Sequence, residues 1–148
     1  EGFYIDDLDI QQALNGFEKK LSYLDRVGDI LLAEAMTTKQ LYKAAATRCG
    51  ASDFSRNHEQ GDLANDFLNH GNYLAYGLAA TTLWVLGIPH GFAVMHGKTR
   101  RGALVFDIAD LIKDAIVLPW AFICAKEKAT EQEFRQQILQ KFTEHKAA

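Results

Sequence analysis

The chain has 148 residues, the size of one ordinary domain, with 48% hydrophobic and 24% charged residues and two prolines. That balance excludes the disordered, collagen-like and low-complexity classes and leaves enough apolar mass for a packed core. Sixteen Lys and Arg against 19 Asp and Glu give a net charge of −3, without the overall basic excess of many nucleic-acid-binding domains. In chain order, apolar residues recur at three and four from Leu8 to about Arg48, which predicts two helices broken near Gly28 and stopped at Cys49-Gly50. Ser52 to Gly61 is polar and without period, so it reads as a loop, and Asp62 is placed to cap a helix running to about Leu86. Gly87, Pro89, Gly91 and Gly97 break up the next stretch, where Ala93–Met95 and Ala103–Phe106 could be short extended segments. A helix is expected from Asp107 to the residue before Pro119, then Trp120 to Lys126, then a charged helix from Thr130 to about His145. The predicted class is all-α, a single domain over 1–148.

The most apolar stretch, Tyr73 to Met95, is interrupted by Thr81, Thr82, Pro89 and His90, and reads as a buried helix because about 20 apolar residues are needed to span a bilayer. Cys49 and Cys124 lack CxxC spacing and suit buried free thiols in a reducing compartment. The chain starts at Glu1 with no signal-like segment, which favours a cut piece of a longer protein. Charge is uneven along the chain. Residues 1–36 hold eight acids and three bases, whereas residues 37–106 hold seven bases and four acids. The bases of this middle region are Lys39, Lys43, Arg48, Arg56, Lys98, Arg100 and Arg101, the last three within four residues.

Asp107, Asp110 and Asp114 fall at i, i+3 and i+7, so one helix face carries three carboxylates while Ile108, Leu111, Ile112 and Ala115 face the core. Two accounts stand side by side. Either Asp107 caps the helix, Asp110 sits in the favourable first turn and Asp114 is solvated, or a cation neutralises Asp107 and Asp110. His96 lies in a glycine-flanked turn beside Lys98, Arg100 and Arg101, a combination that suits a phosphate held against a metal, although a structural histidine fits the local sequence as well. Glu34 is flanked by apolar residues at 30, 31, 35 and 36, which leaves two readings: a half-buried acid, which needs a partner, or an ordinary surface glutamate at the edge of the apolar stripe. Carboxylates with one imidazole would suit Mg²⁺ or Mn²⁺ better than zinc. HExxH, GxxxxGK[ST], GxGxxG and GxSxG are all absent.

The run from Asp62 through Asn65, Asn69, Gly71 and Asn72 to Tyr76, followed by Gly87-Ile-Pro-His-Gly91, Met95-His96-Gly97 and Arg101-Gly-Ala-Leu-Val-Phe-Asp107-Ile-Ala-Asp110, resembles the catalytic domain of Cas-one. This family comprises the CRISPR-associated integrases and endonucleases of spacer acquisition. The likeness extends from about Leu31 to Phe134 and is greatest to subtype I-F. It implies a helical catalytic domain separated from an N-terminal β domain, and a Mg²⁺ or Mn²⁺ site formed by Glu34, His96 and Asp110 with Asp107 as a second acid close by. It also implies phosphoryl transfer on double-stranded DNA, by transesterification or hydrolysis, in a prokaryotic cytoplasm. Lys39, Lys43, Lys98, Arg100 and Arg101 are the candidate backbone-phosphate contacts, and Asn69 and His70 are candidate supports of the site. The partners implied are a second copy of the protein and the Cas-two protein, which in subtype I-F is fused to Cas-three. A helical metal-dependent phosphoesterase acting on small substrates and a non-enzymatic interaction module are the alternatives.

Overall fold

A computed structural model describes residues 8–59, 61–97 and 101–146. Of the described residues 73% are helical and none is in a strand, so the all-α expectation holds and the suggested extended segments do not form among them. It divides into two compact units, Glu1–Ser55 and Arg56–Ala148.

The first unit is an antiparallel pair of helices, α1 (Leu8–Leu21) and α2 (Val27–Cys49). An ion pair between Asp9, at the start of α1, and Arg48, at the end of α2, ties the open ends together. The break falls at residues 22–26, before Gly28. The Ser22 hydroxyl donates to the Lys19 carbonyl at 2.7 Å, offering that carbonyl a partner outside the helical ladder. Gly28 then lies in the first turn of α2. The stop at Gly50 is as expected. Its φ of 78° puts it in the left-handed region, its N–H donates to Thr47 O, and the Ala51 N–H donates to Ala46 O, the paired bonds of a Schellman ending.

In the second unit, α3 (Leu63–Val85) is the central helix. Asp62 caps it, its Oδ1 accepting from the Asn65 N–H at 2.9 Å. Around it pack α4 (Ala103–Ile112), a π-helical turn (Lys113–Val117), α5 (Leu118–Lys126) and α6 (Glu131–Glu144). The core is formed by Phe67, Leu68, Val117, Phe122, Phe134 and Ile138, with Phe67 and Phe134 stacked at 4.5 Å. Gly71 allows the close approach: a Cβ there would stand 2.4 Å from Val117 Cγ1 and 3.1 Å from Phe134 Cζ. Thr130 caps α6 through a reciprocal box with Glu133, as Thr-x-x-Glu allows.

Three expectations for the middle of this unit are corrected. The helix expected from Asp107 begins four residues earlier at Ala103, capped by Gly102 in the left-handed region (φ 68°). Before Pro119 the helix does not stop but passes through the π turn, in which the Leu118 N–H donates to Lys113 O. Proline has no N–H and its ring crowds the carbonyl four residues back, so an uninterrupted α-helix is disfavoured there, and the widened turn carries the chain past it. Leu111, expected in the core, is 74% exposed. The Tyr73–Met95 stretch is buried on one face only, through Ala75, Ala79 and Leu83, while Trp84, Val85 and Leu86 are exposed. No described helix is long and apolar enough to cross a membrane.

Candidate metal half-site on α4

The helix start at Ala103 changes the role of Asp107. Placed in the second turn of α4, its carboxylate cannot cap the helix, and it caps the preceding loop instead. Oδ2 accepts from the backbone N–H groups of Val94 at 2.8 Å and Met95 at 3.1 Å. Oδ1 accepts from the His96 N–H at 3.1 Å and lies 2.7 Å from His96 Nδ1. A carboxylate has about four lone-pair sites, and these four contacts use them all. The side chain is only 7% exposed. Burial alone would push its carboxyl up, but the His96 ring and the three backbone N–H groups outweigh that and hold it below the usual carboxylate value.

This arrangement fixes His96. An ionised carboxylate only accepts, so Nδ1 carries the proton facing Asp107, and in the neutral ring Nε2 presents its lone pair. Nε2 lies 3.6 Å from Asp110 Oδ2, too far for a hydrogen bond. Two ligands about 2.1 Å from a shared ion stand roughly 3.0 to 3.4 Å apart, so the pair is close to the spacing that one divalent ion would require. An imidazole whose second nitrogen is held by a carboxylate is the usual support of a metal-binding histidine. Asp110 Oδ1 is engaged by Lys113 in an i, i+3 ion pair.

Glu34 is half-buried on α2 of the first unit, the first of its two readings. Among the described residues no three His, Cys, Asp or Glu side chains are gathered so as to hold an ion, and within the second unit the structure brings His96 and Asp110 together as a pair. Lys39 and Lys43 are exposed one turn apart on α2, and Arg101 is exposed just before α4. Lys98 and Arg100 lie outside the described residues. His70 and Asn69 have other tasks: His70 Nδ1 pairs with Glu131 Oε1 at 2.8 Å, and Asn69 Oδ1 accepts from Arg56 Nη2 at 2.7 Å.

Two features of this region escaped sequence reasoning. Lys113 stands between Asp110 and Tyr76, with its ammonium 5.3 Å from the Tyr76 ring centroid, and Tyr76 in turn meets Phe106 edge-on at 4.8 Å. Burial alone would lower the Lys113 pKa, but Asp110 and Tyr76 raise it above its ordinary value. The Asp-x-x-Lys spacing was the available signal. The second feature is the loop of Arg56 to Glu59. Its His58 imidazole is held below its ordinary value by the charge of Arg56, then by burial, then by the charge of Lys113.

No family model matches the chain. Over 140 residues, 93% of the chain, it is 57% identical to the CRISPR-associated endonuclease Cas1 of Pectobacterium atrosepticum and 51% identical to that of Pseudomonas aeruginosa. The Cas1 endonuclease of Clostridium sp. is 30% identical over 99 residues, 64% of the chain and 33% of that relative. The chain spans 43% of the length of each of the first two relatives. Identity above one half across nearly the whole chain, taken with the ordered His-Gly and Asp-x-x-Asp elements around α4, places this chain in the CRISPR-associated endonuclease Cas1 family.

Proposed function

We propose that the chain supplies the phosphoryl-transfer centre of a metal-dependent DNA endonuclease and integrase of CRISPR spacer acquisition. The observation that carries this reading is the oriented pair between the Val94–His96 loop and α4: His96, tied through Nδ1 to a fully engaged Asp107, turns Nε2 toward Asp110 Oδ2. His96 and Asp110 would hold Mg²⁺ or Mn²⁺, with Glu34 as the third ligand that the family resemblance assigns. When bound, the ion supplies Lewis-acid polarisation of a phosphoryl oxygen and eases deprotonation of the attacking hydroxyl or water. The chain's own residues do the rest. Asp107 keeps the imidazole in one tautomer, and Lys39, Lys43, Lys98, Arg100 and Arg101 bind the backbone of double-stranded DNA without reading its sequence. With a DNA 3′-hydroxyl as attacker the new P–O ester bond replaces the target strand's P–O3′ bond, joining strands and releasing that 3′ oxygen as a hydroxyl; with water as attacker the same bond breaks and the strand is cleaved. A second copy of the protein and the Cas-two protein complete the proposed assembly.

The test is calorimetric titration with Mn²⁺ alongside Mn²⁺-dependent nicking of duplex DNA, for the wild type, His96→Ala and Asp110→Ala. Both variants should lose Mn²⁺ binding and nicking while keeping the helical circular-dichroism spectrum. Binding and nicking that persist at wild-type levels in both would contradict the reading.

A further inference from the structure

The ion pair between Asp110 and Lys113 engages one carboxylate oxygen and leaves the other. Oδ1 is held by the Lys113 ammonium, while Oδ2 is the oxygen that faces His96 Nε2. Lys113 is itself anchored. It stands at the first position of the π turn, its side chain is mostly buried, and its ammonium lies over the Tyr76 ring, which is braced against Phe106. The carboxylate therefore has a fixed rotation, with one oxygen on offer.

Divalent cations differ in what they ask of a carboxylate. Ca²⁺ takes six to eight oxygens in a flexible shell and readily accepts both oxygens of one carboxylate. Mg²⁺ demands near-octahedral geometry at shorter distances and is served by single oxygens. Mn²⁺ shares the octahedral oxygen preference. A residue that occupies one oxygen of a ligating carboxylate disfavours the larger ion without adding a contact to the smaller one. We propose that Lys113 is a specificity-determining residue of the metal site, holding Asp110 to one-oxygen coordination and so selecting Mg²⁺ and Mn²⁺ against Ca²⁺. This rests on the reading of His96 and Asp110 as metal ligands.

The local positive charge of Lys113 opposes every divalent ion alike, so absolute affinity is the wrong measure. The ratio of Mn²⁺ to Ca²⁺ affinity cancels that effect and isolates the coordination mode. Calorimetric titrations of the chain with MnCl₂ and with CaCl₂, at one pH and ionic strength, are compared for the wild type and Lys113→Met, with Lys113→Ala as a second variant if Lys113→Met does not fold. The ratio should fall by about tenfold in the variant, the lower end of the range for losing a residue that orients a metal ligand. A ratio that is unchanged or higher overturns the inference and leaves the ligand assignment standing. Failure of the wild type to bind either ion removes the ligand assignment, and the inference with it.

Discussion

Two loops of the second unit are fastened to helices by a polar side chain reaching back from the helix, and they differ in what the fastening leaves over. The loop of Arg56 to Glu59 is pinned to α3 by Asn65, which is 2% exposed and whose Oδ1 accepts from Arg56 Nη1 at 3.0 Å and the Asn57 N–H at 2.8 Å. Asn69 completes it, accepting from Arg56 Nη2 and donating to the His58 carbonyl. The loop of Val94 to His96 is pinned to α4 by Asp107, with four contacts to one carboxylate. A neutral amide is the less costly group to bury, and it suffices where the only task is to hold a loop. A carboxylate is costlier to bury and must be fully engaged, but it also orients an imidazole. The first loop turns its hydrogen bonds back onto α3, whereas the second leaves an imidazole nitrogen and a carboxylate oxygen facing each other at 3.6 Å. Fastening that closes on itself and fastening that leaves two polar atoms facing each other thus occur within one helical unit.

Substitutions at the two fasteners should separate them in practice. Asp107→Asn has the larger expected effect, since it removes the acceptor that sets the His96 tautomer and leaves loop N–H groups short of a partner. Mn²⁺ affinity should fall about 10- to 100-fold, the usual cost of losing the group behind a metal-binding histidine. The same variant should alter acid denaturation. The folded Asp107 carboxyl lies below its ordinary value, so the stability it contributes is present above about pH 3.9 and is lost as the pH falls through the folded value. Chemical denaturation across pH 2 to 6 should therefore show a loss in the wild type at the acid end that is smaller in Asp107→Asn. The smaller expected effect is at the other loop. Asn65→Ala leaves the Arg56 guanidinium and the Asn57 N–H without their buried acceptor, at a cost of about 1–3 kcal/mol in denaturant melts. Its Mn²⁺ affinity should match the wild type. A tenfold loss of Mn²⁺ affinity in Asn65→Ala would show that the two fastenings are one system.

The parts legible in the sequence were those written in local chemistry. Thr130 with Glu133, Asp62 before an apolar run and Gly50 after one each mark a helix end within a few residues, and each acts there in the structure. Asp107 shows where that reasoning stops. Aspartate before Ile108 has the form of an N-cap, but the loop eleven to thirteen residues upstream supplies its donors, and that is a tertiary contact no local pattern reveals. Leu111 lies one turn beyond Asp107 on the same side of α4 and is nevertheless exposed, so an apolar residue at helical spacing does not by itself report burial. Lys113 was missed: the Asp-x-x-Lys spacing offers an i, i+3 partner for Asp110, but its place over Tyr76 depends on how α3 packs against the α4 region, which no local pattern reveals. The family resemblance supplied Glu34, His96 and Asp110 as a set. What the structure adds is the reason Asp107 stands beside His96 and Asp110, as a group whose lone pairs are already taken.

The most direct test of that account is the anomalous scattering of Mn²⁺ in crystals of the chain. The account predicts a single strong peak about 2.1 Å from both His96 Nε2 and Asp110 Oδ2, with Asp107 still bound to the Val94–His96 loop and outside the coordination shell. A peak coordinated by Asp107, or one with His96 turned so that Nδ1 is the ligand, would contradict it.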